Sequence, residues 1–213
     1  MNHKNLISTA AATAVAAVLL VGCGSSGKGG DESTSSSSYE VTEKATLLTL
    51  DNKGGSVDIT ASDRSTVKVT EERSDNGDKP KTAHSVNSGE LRLTNSGCDS
   101  GSCDVDYRIE IPRTLAVKIS TAGGTITGDG LAADTGISAE GGDVTVAFSS
   151  APDSIDASTA GGDVTVTVPD GSYAVDATTA GGSRTVKVTN DAASAHKIKA
   201  RSEGGDVTVR SAS

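Results

Sequence analysis

Six Gly-Gly pairs, at 54–55, 123–124, 141–142, 161–162, 181–182 and 204–205, constrain this chain more than any other feature. The same apolar template surrounds each pair: residues six and four positions before the first glycine, then three and five after it. Leu48, Leu50, Val57 and Ile59 frame the first pair, and Val117, Ile119 and Ile126 the second. Ile137, Val144 and Val146 frame the third; Ile155, Ala157, Val164 and Val166 the fourth. Val175, Ala177 and Val186 surround the fifth, and Ile198, Ala200, Val207 and Val209 the last. A period of roughly 20 residues with two-residue alternation inside each unit is the mark of stacked strand–corner–strand repeats.

One unit cannot bury its own apolar face, but stacking at about 4.8 Å sets valine on valine up a common axis. Composition agrees: aromatic residues are 2% of the chain, with one Phe, three Tyr and no Trp, so a core has to be built from small aliphatic side chains. The expected fold is therefore all-β, a parallel β-solenoid with coils of about 20 residues. A β-sandwich whose hairpins share Gly-Gly turns is the alternative. Charged residues at 22% argue against full disorder. A net charge of −9 leaves no basic surplus to displace counterions from phosphates, which works against nucleic acid as a partner.

Two positions depart from the template. Arg184 stands in the slot of Val144, Val164 and Val207, which implies a slipped coil or one opened for the guanidinium, and Thr135 stands where other units have Leu, Ile or Val. The stretch from Arg64 to Tyr107 does not repeat. Its alternating segments Thr66–Thr70 and Glu90–Thr94 predict an N-terminal antiparallel β excursion that covers one end of the solenoid and blunts its edge.

The N-terminus has the order of an export signal: Lys4, an uncharged apolar run from Leu6 to Val21, then Gly22 and Cys23. Leu20-Val21-Gly22-Cys23 resembles the bacterial lipobox, whose cysteine takes a diacylglycerol and becomes the first mature residue. Residues 1–22 are thus expected to be a lipoprotein signal peptide, 23–38 the lipidated Cys23 and a flexible Gly/Ser-rich tether, and 39–213 the folded domain. The expected location is extracytoplasmic, on the outer face of the cytoplasmic membrane, with the membrane itself as partner through the lipid on Cys23.

Cys98 and Cys103 remain, separated by Asp-Ser-Gly-Ser, and in an exported chain they read as a disulfide around a turn. His84 and His196 are most simply solvated loop residues, and no nucleophile elbow or other catalytic signature accompanies the many serines and aspartates. No cofactor and no metal site is expected. A polysaccharide-active enzyme on a β-helix is the catalytic alternative, although such a site needs a long groove with clustered Lys and Arg. Asp143, Asp163 and Asp206 follow Gly-Gly pairs and form a possible surface binding column, interrupted at Ser183; its other reading is a solvated acidic column that discourages aggregation. Thr145, Thr165, Thr185 and Thr208 form a second outward column.

The repeated Ala-Gly-Gly-Asp-Val-Thr-Val, with Ile109-Glu-Ile-Pro112 feeding Val117-Lys-Ile and Thr121–Thr127, resembles the bacterial DUF4097 family, described as adhesin-like. The resemblance covers roughly Ala45 to Ala212. It implies a right-handed winding and a cell-envelope setting, and it carries over no catalytic or ligand residue. The expected function is a membrane-anchored surface lipoprotein with a non-catalytic binding module that takes an envelope protein or wall polymer. The alternative is an envelope-maintenance or signalling accessory acting on a membrane partner.

Overall fold

The computed structural model describes residues 17–18 and 32–212, and among these there is no helix. β1 (Ala17–Val18) pairs with β2 (Ser33–Val41); β3 (Leu47–Asn52) and β4 (Val57–Ser62) flank the first Gly-Gly pair. β5 (Val67–Asp75), β6 (Thr82–Asn87), β7 (Glu90–Asn95) and β8 (Cys103–Pro112) follow. The next three pairs lie between β9 (Ala116–Thr121) and β10 (Ile126–Leu131), β11 (Thr135–Ala139) and β12 (Val144–Phe148), and β13 (Ser154–Thr159) and β14 (Val164–Val168). β15 (Ser172–Thr179) and β16 (Arg184–Lys187) flank the fifth, β17 (Thr189–Asn190) intervenes, and β18 (Lys197–Ser202) and β19 (Val207–Ser211) flank the last.

The strands form two mixed sheets. One has the order β1-β2-β5-β8-β4-β10-β12-β14-β19-β16, the other β17-β15-β18-β13-β11-β9-β3-β7-β6. From β8 and β7 onward every pairing is parallel, whereas β2, β5 and β6 add antiparallel strands at one end. Chain segments on either side of a Gly-Gly corner belong to different sheets, so each unit contributes one strand to each.

Register makes the core. Val57, Ile126, Val144, Val164 and Val207 are successive partners in the first sheet, each at most 1% exposed. Leu48, Val117, Thr135, Ile155 and Ile198 line up in the second, with Thr135 taking its expected interior slot and donating its hydroxyl to the Ala133 carbonyl at 3.0 Å. Intervening Thr, Asp, Ser and Lys residues point outward, as strand alternation requires.

Chain order and stacking order part at both ends. The last unit, β18 with β19, is inserted between the unit of β13 and β14 and that of β15 and β16. This settles Arg184: its strand is in register, Arg184 opposite Val207, but it is the terminal layer. The side chain crosses the open end of the core and its Nε donates to the Ala177 carbonyl in the other sheet at 2.8 Å. At the opposite end, β7 and β8 pair in parallel with β3 and β4. The segment Glu90–Thr94, expected in the antiparallel excursion, is therefore a stacked layer; the alternating pattern of a strand does not reveal the direction of its neighbour. β2 also takes in Ser33–Ser38, which composition assigns to the tether, by pairing with β5 from Asp75 back to Val67.

The corners explain the glycines. A Cβ on Gly142, whose φ is +78°, would collide with the Gly124 carbonyl, and one on Gly162 with the Gly142 carbonyl and the Asp143 carboxylate. Gly123 and Gly141 have nothing among the described residues within 4 Å of that position. Only the second glycine of these pairs is sterically required.

Candidate functional site

Two outward surfaces collect the polar residues, and the acidic column lies on the first sheet. Inserting the last unit places Asp206 directly beside Asp163, so Asp143, Asp163 and Asp206 are contiguous and Ser183 ends the column. This corrects the expected interruption, and its cause is the stacking order. The carboxylates are also structural: Asp143 Oδ1 accepts the backbone N–H of Asp163 at 2.9 Å, Asp163 Oδ1 that of Asp206 at 2.7 Å, and Asp206 Oδ1 that of Ser183 at 2.7 Å. An N–H donor on each carboxylate offsets the repulsion expected of stacked acids.

Next to this column, Thr127, Thr145, Thr165, Thr208 and Thr185 stand opposite one another on five successive strands. Thr127 donates to Asp58 Oδ1 at 3.1 Å, continuing the polar row onto β4. The third outward row, Ala147, Thr167, Arg210 and Lys187, becomes basic toward the end of the stack.

The second sheet carries a shallow open groove of about 690 Å³, with Gly136, Ser120, Ser138 and Ser158 among its lining. Arg92 and Lys118 line it toward one end and Asp156 toward the other. Beyond Asp156, Lys199 pairs with Asp156 at 3.2 Å and Arg201 with Asp176 at 2.9 Å.

Sequence reasoning missed two polar arrangements. The first is a row of hydroxyls, buried at Thr159 and Ser202 and half-buried at Thr179, two positions before the Gly-Gly pairs. Thr159 donates to the Gly142 carbonyl at 2.8 Å, Ser202 to that of Gly162 at 2.7 Å, and Thr179 to that of Gly205 at 2.6 Å. Each also accepts a glycine N–H of its own corner. Asn52 plays the corresponding part near β8, donating to the Gly55 and Val105 carbonyls. The recurrence of Thr, Ser or Asn at that spacing was the available signal.

The second arrangement closes the end covered by β2, β5 and β6. Glu71, 2% exposed, accepts the Tyr39 hydroxyl at 2.9 Å and pairs with Arg73, which also donates to Thr82 at 2.8 Å. Burial and the Glu71 charge push both the Tyr39 and Tyr107 hydroxyls above the usual phenol range. Among the described residues the buried Tyr107 hydroxyl has no hydrogen-bond partner.

His84 stacks on Tyr39 with ring centroids 4.4 Å apart, and His196 Nδ1 lies 2.9 Å from the Pro152 carbonyl. The two are at opposite ends of the stack and share no site. Cys98 and Cys103 are disulfide-bonded across the turn between β7 and β8, where this layer has no Gly-Gly pair. Among the described residues no group of three or more His, Cys, Asp or Glu is placed to hold a metal ion. Cys23 and the residues expected to form the signal peptide, apart from 17–18, lie outside the described residues.

The family model described as Toastrack DUF4097 matches residues 82–211. Among solved structures, a "putative cell adhesion protein" from Clostridium sporogenes superposes with a TM-score of 0.66 at 16% identity, over 84% of this chain and 100% of that one. A "putative adhesin" from Bacteroides fragilis is matched over 86% of this chain and 99% of that one at 12% identity, with a TM-score of 0.36. No curated protein matches the chain.

Proposed function

This chain belongs to the Toastrack DUF4097 family, and from that premise we propose that it is a surface lipoprotein whose stacked strands form a non-catalytic, adhesin-like binding module. The observation that carries the reading is the continuous outer face of the first sheet. Asp143, Asp163 and Asp206 beside Thr127, Thr145, Thr165, Thr208 and Thr185 repeat the same donors and acceptors on consecutive strands. Such a surface suits an extended ligand with its own repeat, a wall polymer or a protein strand, better than a compact substrate. The core is a solenoid with coils of about 20 residues, and its parallel crossovers are wound right-handed, the hand that nearly all such connections take. Cell adhesion, in the name of the Clostridium sporogenes structure, agrees with this role.

The domain is held to the outer face of the cytoplasmic membrane by lipid on Cys23. Two or more acyl chains would make that attachment stable, where one gives only marginal binding. One observation favours the second reading, an accessory that acts on a membrane partner. Because β2 begins at Ser33, nine residues separate Cys23 from the first strand of the domain, and a Gly/Ser-rich sequence of that length spans about 15 to 18 Å by composition. A partner within or close to the membrane then lies nearest.

Photo-crosslinking groups placed at Thr145, Thr165 and Thr208 in intact cells test the reading. Crosslinks to wall polymer or to a protein support a binding face, and a membrane-protein product selects the accessory role. Absence of any product from these positions, with crosslinks formed from an unrelated surface, would refute it.

A further inference from the structure

The end of the stack opposite β2 is unfinished. The first sheet stops at β16, and no strand lies beyond it among the described residues. One row of backbone N–H and C=O groups on Arg184–Lys187 therefore faces outward, and an unpaired edge of this kind is a template for another extended chain. Val186 and Val188 behind it are only half-buried, so the apolar interior is also incompletely closed. The opposite end differs: there β2 and β5 lie antiparallel over the stack.

Charge singles out what the edge would accept. Arg184 and Lys187 lie on β16, and Arg210 on the adjacent strand stands directly opposite Lys187. None of the three makes an ion pair among the described residues, although the protein as a whole carries a net charge of −9. The other terminal strands, β1, β6 and β17, contain no Lys or Arg. A second copy of this chain laid antiparallel on the same edge would bring the same cationic strand, which contains no acidic residue, to the seam, and this disfavours self-pairing.

We propose that the β16 edge docks an extended acidic segment of a partner polypeptide, added as a further strand of the first sheet. Main-chain hydrogen bonds supply the pairing, and Lys187 and Arg210, which share the outer face, select for carboxylates. The proposal rests on reading the protein as a binding module and adds to it a second, strand-end contact with a partner of defined chemistry.

The test uses the full chain in detergent and a fluorescent ten-residue peptide of alternating Asp and Val, compared with its Lys-Val counterpart and with an Asp-Val peptide methylated at alternate backbone nitrogens. The expected result is binding of the Asp-Val peptide alone, with slowed hydrogen exchange at Arg184–Lys187. Combined Lys187→Glu and Arg210→Glu should weaken it by about fivefold, the scale expected of two exposed charge contacts, and shift preference to the Lys-Val peptide. If that variant fails to fold, the methylated peptide on the unaltered protein still decides. Equal binding of the methylated peptide, no binding of any peptide, or a dimer whose β16 amides are already protected would each overturn the proposal. These outcomes leave the crosslinking test of the outer face untouched, so the two ideas fail separately.

Discussion

Gly141 and Gly142 are neighbours with opposite tolerance for a side chain. Gly141→Ala meets open space and should change stability by no more than about 1 kcal/mol, in the stabilising direction if at all, because the unfolded chain loses freedom. Gly142→Ala meets the Gly124 carbonyl at a positive φ and should cost several times as much. Denaturant unfolding of the two variants checks the pair. The inside–outside assignment has a similar contrast. Val164→Asp buries an unpaired charge at a fully enclosed position and should unfold the domain, whereas Thr165→Asp, facing outward, should shift the midpoint only slightly. Circular dichroism in urea separates the outcomes, and equal damage from both would contradict the register. Interior slots were legible in the sequence because alternation with a period of two says which residues share a face. The hydroxyls of Thr159, Ser202 and Thr179 were not, since a Thr next to a corner looks the same whether it points to water or clamps the next layer.

The tyrosines behind β2 link this level to that of the strands. Tyr39 and Tyr107 hold their protons in the folded protein to higher pH than in the unfolded chain, where phenols ionise near about pH 10. Their contribution is thus complete below that pH and is lost as the pH rises above it, since the unfolded state then binds fewer protons. Thermal melts should therefore fall steeply above about pH 10, and less steeply in Tyr39→Phe with Tyr107→Phe. Tyr107→Phe alone, at neutral pH, should be neutral or stabilising because its buried hydroxyl has no partner among the described residues to lose.

At the scale of elements, the C-terminal unit is the informative one. Ile198, Ala200, Val207 and Val209 are each at most 1% exposed, and β18 and β19 separate the unit of β13 and β14 from that of β15 and β16. Removing residues from Lys197 onward takes out an internal layer and should abolish cooperative melting, although the segment is terminal in sequence. Opening the Cys98–Cys103 bond is a smaller change, about 2 to 3 kcal/mol for so short a loop in the chain-entropy picture, read as a lower melting temperature under reductant. Stacking order was not legible because the repeats are nearly interchangeable: Val207 pairs as well beside Val164 as Arg184 would pair badly there. In retrospect that difference is the physical reason Arg184 sits at the end. An arginine can close an open core from the last layer, where its guanidinium reaches both water and the Ala177 carbonyl, but it cannot be stacked over. The same blind spot split the acidic column at Ser183 in sequence, while the fold joins it.

For the whole molecule, attachment and binding are separable claims. Cys23→Ser should release or misprocess the protein, and recovery of a normally processed variant in the membrane fraction would count against lipid attachment. The central claim is that the protein works by presenting the outer face of its first sheet rather than by turnover. Asp143→Asn, Asp163→Asn and Asp206→Asn together remove the charge of the column while keeping an Oδ1 acceptor for each backbone N–H, so the fold should survive. His84→Ala with His196→Ala removes both histidines of the domain, the residues best suited to proton transfer. The deciding measurement is complementation of a gene deletion by these two variants at matched abundance. The account predicts full rescue by the histidine variant and loss of rescue by the asparagine variant; rescue by the asparagine variant with failure of the histidine variant would contradict it.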